Sequence, residues 1–263
     1  MNNRDHRKIT VIDGLIGYTG GYNLADEYFN YTHPYGLWKD SGVRLEGDAV
    51  DSLTKIFFEM WQTSSKEDYE DLTLYLKGHK VSGEGYIIPY SDTPLDDEET
   101  GENVYLNMIK HAVDHIYITT PYLILSDEMQ RELILASKRG VDVRIITPGI
   151  PDKAVVFAMT RSYYSHLVQA GIHIYEYTPG FIHSKQCLVD DQVGVVGTIN
   201  FDFRSLYLHF ENGWFTHNHA VKELREDFDE LFEISQDVSE KYINTSVVLR
   251  GWRCILRFFS PLM

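Results

Sequence analysis

The fold of this chain is decided by the stretch Phe181–Asp190, which reads FIHSKQCLVD, and by the Gly-Thr-Ile-Asn that follows at residues 197–200. Apolar residues form two short runs on either side of a pair of aspartates, a pattern that predicts two buried strands joined by a tight turn. Because alternate residues of a strand point to the same face, His183 and Lys185 should lie side by side. An imidazole beside an ammonium group suits a phosphate site.

The N-terminus repeats this arrangement at a constant spacing. His6 and Lys8 are also two positions apart, and their residue numbers differ from those of His183 and Lys185 by a constant 177. Two copies in matching register arise by chance far more rarely than one, so we interpret the two motifs as an internal duplication. The same spacing of 177 relates three further pairs, which are Asp13 with Asp190, Gly20 with Gly197, and Asn23 with Asn200.

The paired motifs predict one catalytic site for a phosphodiester. One histidine can attack phosphorus and form a phosphohistidine, while the other protonates the leaving alkoxide and then activates the incoming hydroxyl. Lysine and asparagine side chains can hold the phosphate oxygens as charge develops. The predicted catalytic residues are His6, Lys8, Asp13, His183, Lys185 and Asp190, and the predicted substrate-binding residues include Asn23, Thr198 and Asn200.

The two aspartates of the motifs have a second interpretation. Asp13 and Asp190 each lie seven positions after the histidine of their motif, at a predicted turn. They either orient the site and balance its charge, or they only shape the turn. The residues alone leave both interpretations open.

These residues resemble the paired HKD motifs of the phospholipase D superfamily, and the closer match is to bacterial cardiolipin synthases. Residues 3–23 resemble the first motif and residues 180–211 the second. Thr198 stands where serine is more usual, and Gly21 fills the matching position of the first motif, so that half lacks the hydroxyl. Further segments extend the resemblance over nearly the whole chain, namely residues 38–47, 119–123 and 148–177.

The resemblance implies an α/β, phospholipase D-like fold with two pseudo-symmetric mixed-sheet halves and flanking helices. It implies transfer of a phosphatidyl group between two phosphatidylglycerols, giving cardiolipin and glycerol through a phosphohistidine. In that scheme His6 is the nucleophile and His183 is the acid and base. Glu211, grouped with the substrate-binding residues, would hold the His183 imidazole in one tautomer.

The first half is expected to be incomplete. Predicted helices and strands fill positions 103–182 ahead of His183, whereas positions 1–5 alone precede His6. We therefore interpret the chain as the C-terminal portion of a longer enzyme, whose missing N-terminal portion is a possible partner. The predicted division is the C-terminal part of a first half at 1–90, an acidic linker at 91–102, a second half at 103–245 and a basic amphipathic tail at 246–263.

Strands and helices alternate in the second half of the sequence. This alternation favours an α/β fold with a mostly parallel sheet and some antiparallel additions. Ser126 suits the N-cap of a helix that extends to Arg139, because acidic residues follow it in the first turn. A long helix is predicted from about His219 to Tyr242.

Composition limits the class of protein. The net charge of −15 disfavours a nucleic-acid-binding surface, which would normally be basic. Two cysteines far apart in sequence argue against a disulfide framework. No Cys/His set has zinc spacing, and the donors of the two motifs leave little need for a metal, so we expect neither a metal nor another cofactor. The sequence has no run of about 18 apolar residues that would predict a membrane span.

Contact with a membrane surface is expected through the tail. Residues 247–263 contain three arginines and no acid. On a helix the arginines would share one face and apolar residues the other, which suits anionic phospholipid such as phosphatidylglycerol. The alternative is a helix packed on the domain with its arginines in water. The predicted location is therefore the cytoplasmic face of the cell membrane.

Two other functions stay open. The same chemistry serves a phospholipase or nuclease of the superfamily, although a nuclease should have a basic groove. The other alternative is an inactive, membrane-associated fragment, because half of the first domain is expected to be missing.

Overall fold

A computed structural model describes residues 3–65 and 71–244, so the predicted tail at 246–263 lies outside the described residues. The strands are β1 (Ile9–Ile12), β2 (Ile16–Gly20), β3 (Leu37–Lys39), β4 (Gly42–Glu46), β5 (Tyr86–Asp92), β6 (His115–Thr119), β7 (Asp142–Pro148), β8 (His173–Tyr177), β9 (Gly180–Ile182), β10 (Gln186–Val189), β11 (Val193–Gly197), β12 (Glu211–His217) and β13 (Ser235–Asp237). The helices are α1 (Asp48–Ser64), α2 (Thr100–His111), α3 (Asp127–Lys138), α4 (Ala154–Gln169), α5 (Phe203–Tyr207), α6 (Ala220–Ile234) and α7 (Ser239–Ile243), with a 3-10 turn at Leu72–Leu74.

The larger sheet has eight strands in the order β13-β8-β7-β6-β10-β11-β12-β5. The neighbours β6, β7 and β8 are parallel, and α3 and α4 connect them, which confirms the predicted α/β class. Every other pairing in this sheet is antiparallel, so the parallel share is smaller than the sequence indicated.

The smaller sheet repeats the centre of the larger one. Strands β1 and β2 form an antiparallel hairpin, and β4 pairs with the other edge of β2. In the larger sheet β10, β11 and β12 are connected in the same way. The bounds of β1 and β2 differ from those of β10 and β11 by the same constant of 177 throughout, so the duplication predicted from the motifs is confirmed.

Beyond the motifs the spacing of the repeat changes to 171. Gly42 pairs with Gly20 in one half, and Gly213 pairs with Gly197 in the other, so β4 matches β12 at this spacing. The helices that follow match as well, since Ala-Val-x-x-Leu-x-x-x-Phe begins at Ala49 and again at Ala220. The connection before the third strand is therefore longer by six positions in the first half than in the second.

The two halves share a hydrophobic core. Leu45 of β4 and Leu53 of α1 belong to the same buried cluster as Leu188 of β10 and Phe228 of α6. A second buried cluster lies under α2, α3 and α4 on the opposite face of the larger sheet. Burial of this apolar surface stabilises the contact that brings the two motifs together.

Two sequence-based boundaries need correction, and a third is confirmed. The predicted division at residue 90 falls inside β5, which pairs with all seven residues of β12 and so belongs to the second-half sheet; residues 93–99 alone connect it to α2. The predicted helix from His219 to Tyr242 ends at Ile234, because the next three residues pair with β8 as an edge strand. The predicted N-cap is confirmed, since the Ser126 side chain accepts a hydrogen bond from the Met129 N–H.

Candidate active site

Strand pairing between the halves brings His183 to a carboxylate of the first half. The short strand β3 runs parallel to β9, with Lys39 opposite Ile182, and the His183 N–H donates to the Lys39 carbonyl at 2.7 Å. The residues that follow these two strands, Asp40 and His183, are therefore neighbours. Asp40 Oδ2 lies 2.7 Å from His183 Nδ1, and both side chains are buried.

His6 is held in the same way, but by residues of the second half. Asp5 forms a parallel bridge with Phe210, and the His6 N–H donates to the Phe210 carbonyl at 2.9 Å. The following residue, Glu211, has its Oε1 2.9 Å and its Oε2 3.0 Å from His6 Nδ1. Asp40 and Glu211 are related by the spacing of 171, so they are equivalent positions of the repeat, and each holds the histidine of the other half.

This arrangement corrects the role predicted for Glu211. The resemblance implied that Glu211 holds the His183 imidazole, but the Glu211 carboxylate binds His6. Asp40 takes the role at His183 and was missed as a functional residue. The spacing of 171 between the following helices could have found it, because that spacing maps Glu211 onto Asp40.

The carboxylates fix the tautomer of both imidazoles. Burial would raise the pKa of Glu211, but the nearby imidazoles of His209 and His6 lower it to about 2. Burial likewise opposes ionisation of Asp40, whose pKa is lowered overall by electrostatic interaction with His183 and Lys185 and by the hydrogen bond from His183. An ionised carboxylate only accepts hydrogen bonds. His6 Nδ1 is therefore the donor, and its Nε2 keeps a free lone pair. His183 Nδ1 lies 2.7 Å from Asp40 Oδ2 and 2.9 Å from Lys185 Nζ, and donation to the carboxylate leaves the lone pair on Nε2 there as well.

Two lysines connect the two histidine–carboxylate pairs. Lys8 Nζ donates to the His6 carbonyl at 2.6 Å, and Lys185 Nζ donates to the His183 carbonyl. Burial lowers the pKa of Lys185 to about 7 and that of Lys8 to about 8, while the charges of Asp40 and Glu211 act in the opposite direction on both. Each ammonium therefore interacts with the carboxylates of both halves, which makes the two motifs parts of one site.

His183 lies against aromatic rings. Its ring centroid is 5.2 Å from Trp38 and 5.3 Å from Tyr28, and the Phe181 ring stacks on it at 6.1 Å. Burial, together with the charge of Lys185, lowers the pKa of His183 to about 4. The imidazole is therefore neutral in the free site at neutral pH.

The second half has a hydroxyl at Thr198, whereas the first half has Gly21 at the matching position, and the reason is steric. Thr198 exchanges hydrogen bonds with the Asn212 backbone and contributes to the low pKa of Glu211. At the matching position of the first half, a Cβ on Gly21 would lie 2.3 Å from Asp40 Oδ1. Only glycine leaves room there for the carboxylate that binds His183.

The two predicted amides have different surroundings. Asn200 is buried beside the carboxylate of Asp202, and its Oδ1 has no hydrogen-bond partner among the described residues. Asn23 donates to the hydroxyl of Tyr28 at 2.7 Å, and Tyr28 in turn contacts His183. Substrate binding by these two residues, and by Thr198, stays a prediction.

The motif aspartates lie away from the histidines. His183 precedes β10, whereas Asp190 follows its last residue, at the opposite end of the strand. The Asp190 carboxylate accepts three backbone N–H groups, at 2.8–2.9 Å, from residues 113–115. Asp13 occupies the matching turn of the first half, where it is exposed, and both aspartates have φ near 56°. This geometry supports the turn-forming interpretation.

We expect Asp190→Ala to reduce stability rather than turnover. Losing three backbone hydrogen bonds should lower the free energy of unfolding by about 1–3 kcal/mol, whereas the exposed Asp13→Ala should cost less than about 0.5 kcal/mol. Urea unfolding measures both values. A fully folded Asp190→Ala protein without turnover would contradict the structural role and return Asp190 to the catalytic set.

Three side chains at the His6 end could hold a metal ion. The candidate ligand atoms of His6, His209 and Glu211 all lie within 4.8 Å of one another. His209 is 3.7 Å from Glu211 Oε1, and neither of its ring nitrogens has a hydrogen-bond partner in the described part of the chain. A metal bound through His6 Nδ1 would displace the hydrogen that this nitrogen now donates to Glu211.

The comparisons agree with this geometry. The family described as "Cardiolipin synthase, PLD-like domain" matches residues 105–232. Over its whole length, the chain is 38% identical to cardiolipin synthase 2 of Bacillus anthracis and 36% identical to cardiolipin synthase 1 of Staphylococcus aureus. Sequence comparison thus relates residues 105–232, just under half of the chain, to a phospholipase D-like family. The second histidine–lysine motif lies within these matched residues, and the first lies outside them.

The chain spans about half the length of the curated relatives it matches. It covers 52% of the Bacillus anthracis synthase, 54% of the Staphylococcus aureus synthase and 57% of a Streptococcus mutans protein of uncharacterised function that is 50% identical. Among solved structures, phosphatidylserine synthase of Haemophilus influenzae aligns with a TM-score of 0.71 at 14% identity, over 98% of this chain and 69% of that chain. At this identity the likeness shows the phospholipase D fold alone.

Within residues 3–65 and 71–244, none of the helices combines the length and the hydropathy that crossing a bilayer requires.

Proposed function

We propose that this protein is a phosphatidyltransferase that converts two phosphatidylglycerols to cardiolipin and glycerol. The proposal rests above all on the crosswise pairing of two imidazoles with two buried carboxylates. That pairing prepares two histidines for reaction at a single phosphodiester. The relatives named cardiolipin synthase support a phospholipid as the substrate.

In the first step, His6 Nε2 attacks the phosphorus of one phosphatidylglycerol. The N–P bond forms while the P–O bond to the headgroup glycerol breaks, and His183 gives a proton to the leaving alkoxide. Binding of the phosphate anion favours the protonated form of His183, because it adds negative charge beside an imidazole whose free-site pKa is about 4. Lys8 and Lys185 would neutralise the non-bridging oxygens.

In the second step, the headgroup hydroxyl of another phosphatidylglycerol attacks the phosphorus. Its proton passes to His183, the P–O bond of cardiolipin forms, and the N–P bond to His6 breaks. The phosphohistidine ring carries positive charge while Nδ1 keeps its hydrogen. The buried Glu211 carboxylate, 2.9 Å from that nitrogen, stabilises this intermediate.

An anionic lipid as substrate agrees with the charge of the site. The protein has a net charge of −15, yet the site holds the fully buried Lys185 and the partly buried Lys8. Local positive charge in an acidic protein selects a phosphate that is presented at the pocket rather than a long polyanion along the surface. We include in the proposal that the protein works at the cytoplasmic face of the cell membrane, where phosphatidylglycerol would be supplied.

The test is to incubate the whole chain with phosphatidylglycerol vesicles and to quantify the lipid products by mass spectrometry. The proposal expects cardiolipin and glycerol in equal amounts. Phosphatidic acid as the lipid product would mean that water resolves the intermediate, and the protein would then be a phospholipase of the superfamily. Absence of both products would contradict the proposed activity of this chain.

Turnover should decline toward alkaline pH. The charged form of a lysine is lost above its pKa, so Lys185 loses charge through about pH 7 and Lys8 through about pH 8. Binding of an anionic diester should weaken over that interval. We expect kcat/KM for phosphatidylglycerol to fall between pH 7 and pH 8, while circular dichroism stays constant. A flat profile across this range would show that the charge of the two lysines is not required.

A further inference from the structure

His209 is an imidazole beside His6 whose ring nitrogens are unpaired. Both nitrogens are buried, and neither has a hydrogen-bond partner within residues 3–65 and 71–244. Its Nδ1 lies 3.7 Å from Glu211 Oε1, beyond the length of a hydrogen bond. A neutral imidazole has one nitrogen that donates and one that accepts, and burying both without partners costs free energy. His209 therefore has a lone pair that it can give to another group.

His6, His209 and Glu211 bring three metal-ligand atoms together. The atoms lie within 4.8 Å of one another, and no other three His, Cys, Asp or Glu side chains in the described ranges form such a set. Ligands at the corners of a tetrahedron, about 2.0–2.1 Å from zinc, are about 3.3 Å apart. From Glu211 Oε1 the distances are 2.9 Å to His6 Nδ1 and 3.7 Å to His209 Nδ1, on either side of that value.

The repeat confines this ligand set to the His6 end of the site. At the spacing of 171, His209 matches Trp38 and Glu211 matches Asp40. The ring of Trp38 lies 5.2 Å from that of His183, much as the ring of His209 lies 5.9 Å from that of His6. An indole nitrogen only donates a hydrogen bond and cannot ligate a metal. The His183 end therefore has two of the three ligands, and the chain should bind one ion.

The kind of ligand selects the kind of metal. Two imidazoles and one carboxylate suit zinc, which adopts this set with its fourth position open, whereas magnesium prefers oxygen ligands. The charges of Lys8 and Lys185 oppose a cation, but the carboxylates of Asp40 and Glu211 interact with both lysines and offset them. Because one ligand comes from the first half and two from the second, no sequence spacing indicates the site.

We propose that His6, His209 and Glu211 bind one zinc ion, and that the bound ion inhibits the reaction. Zinc takes the lone pair of His6 Nδ1, which loses its hydrogen, while Nε2 gains a proton, so no net proton is released. Nε2 then carries a hydrogen where the attack on phosphorus requires a lone pair. The inhibition rests on the proposed function, whereas zinc binding and the change of tautomer do not.

The binding test is titration of the whole chain, first dialysed against a chelator, with Zn²⁺ in a calorimeter and with Co²⁺ by visible absorption. We expect one ion per chain and the spectrum of a four-coordinate Co²⁺ site. His209→Trp places the residue of the other half at this position and should weaken binding at least about tenfold, because even residues outside the ligand set matter this much. His111→Asn, at an exposed histidine of α2, should bind zinc as wild type does.

The state of His6 is measured separately, by nitrogen NMR of the wild-type chain with labelled histidine. With zinc bound, we expect the His6 and His209 rings to be coordinated and the hydrogen of His6 to be on Nε2. Release of glycerol from phosphatidylglycerol should then fall at least about 100-fold and return when a chelator removes the ion. Magnesium at the same concentration should change neither the spectrum nor the rate.

Different outcomes would overturn the two parts of the inference. No zinc binding, binding that His209→Trp leaves intact, or a spectrum in which the His6 and His209 rings are unchanged would remove the site. Bound zinc with full turnover, or with the hydrogen still on His6 Nδ1, would remove the inhibition. A chain without turnover before zinc is added would contradict the proposed function alone. The NMR experiment needs no variant, so it decides the question even if His209→Trp fails to fold.

Discussion

Replacing His6 by Gln is expected to abolish phosphatidyl transfer, with a loss of at least about 10⁴-fold in kcat, because no group remains to form the covalent intermediate. Replacing His183 by Gln should also stop turnover with phosphatidylglycerol, whose glycerol alkoxide needs a proton to leave. The two variants should differ with a phosphatidyl ester of p-nitrophenol. That leaving group needs no acid, so His183→Gln should release one equivalent of nitrophenol and stall.

The position of the adduct then identifies the nucleophile. Mass spectrometry of stalled His183→Gln should find the phosphatidyl group on His6, while His6→Gln should release no nitrophenol and hold no adduct. An adduct on His183 in the His6→Gln variant would reverse the assignment. Attack would then come from the imidazole whose pKa burial lowers to about 4 and which is neutral in the free site. His173→Gln, at an exposed histidine on β8, should behave as wild type.

The identity of the histidines and lysines was more predictable from the sequence than the hydrogen-bond partners that the two halves provide for them. His6, Lys8, His183 and Lys185 follow from local sequence, because alternate residues of one extended segment fix which side chains are neighbours. The hairpins follow for the same reason, since apolar runs and turn residues act over a few positions. Strands β1, β2, β10 and β11 therefore match the predicted segments closely.

The pairing of each carboxylate with the histidine of the other half depends on contacts between residues far apart in sequence. Asp40 reaches His183 across a sequence separation of 143, and Glu211 reaches His6 across one of 205. Both contacts follow from short parallel pairings between the halves, of three residues in β3 and one in the bridge at Asp5. Segments this short have no periodicity to read, so propensity and pattern give no signal for them. The repeat of the flanking helices was the usable signal.

Asp40→Asn and Glu211→Gln should each lower kcat by about 10³-fold, although both keep the shape of the side chain. The amide can donate to Nδ1, which would move the imidazole hydrogen to Nε2 and remove the lone pair that reacts. Because each carboxylate binds the histidine of the other half, each variant should disable that histidine. Glu211→Gln should behave like His6→Gln, and Asp40→Asn like His183→Gln.

The nitrophenyl ester separates these two predictions from a general loss of structure. Asp40→Asn should give a rapid burst of nitrophenol and then slow resolution, whereas Glu211→Gln should give no burst. Glu176→Gln removes a similarly buried carboxylate, one that pairs with Arg161 on α4, and it controls for the stability cost of losing a buried charge. If Glu211→Gln gave the burst and Asp40→Asn did not, each carboxylate would be serving the histidine of its own half. The crosswise hydrogen bonds would then have no part in catalysis, and the covalent chemistry would have to be assigned to the two motifs separately.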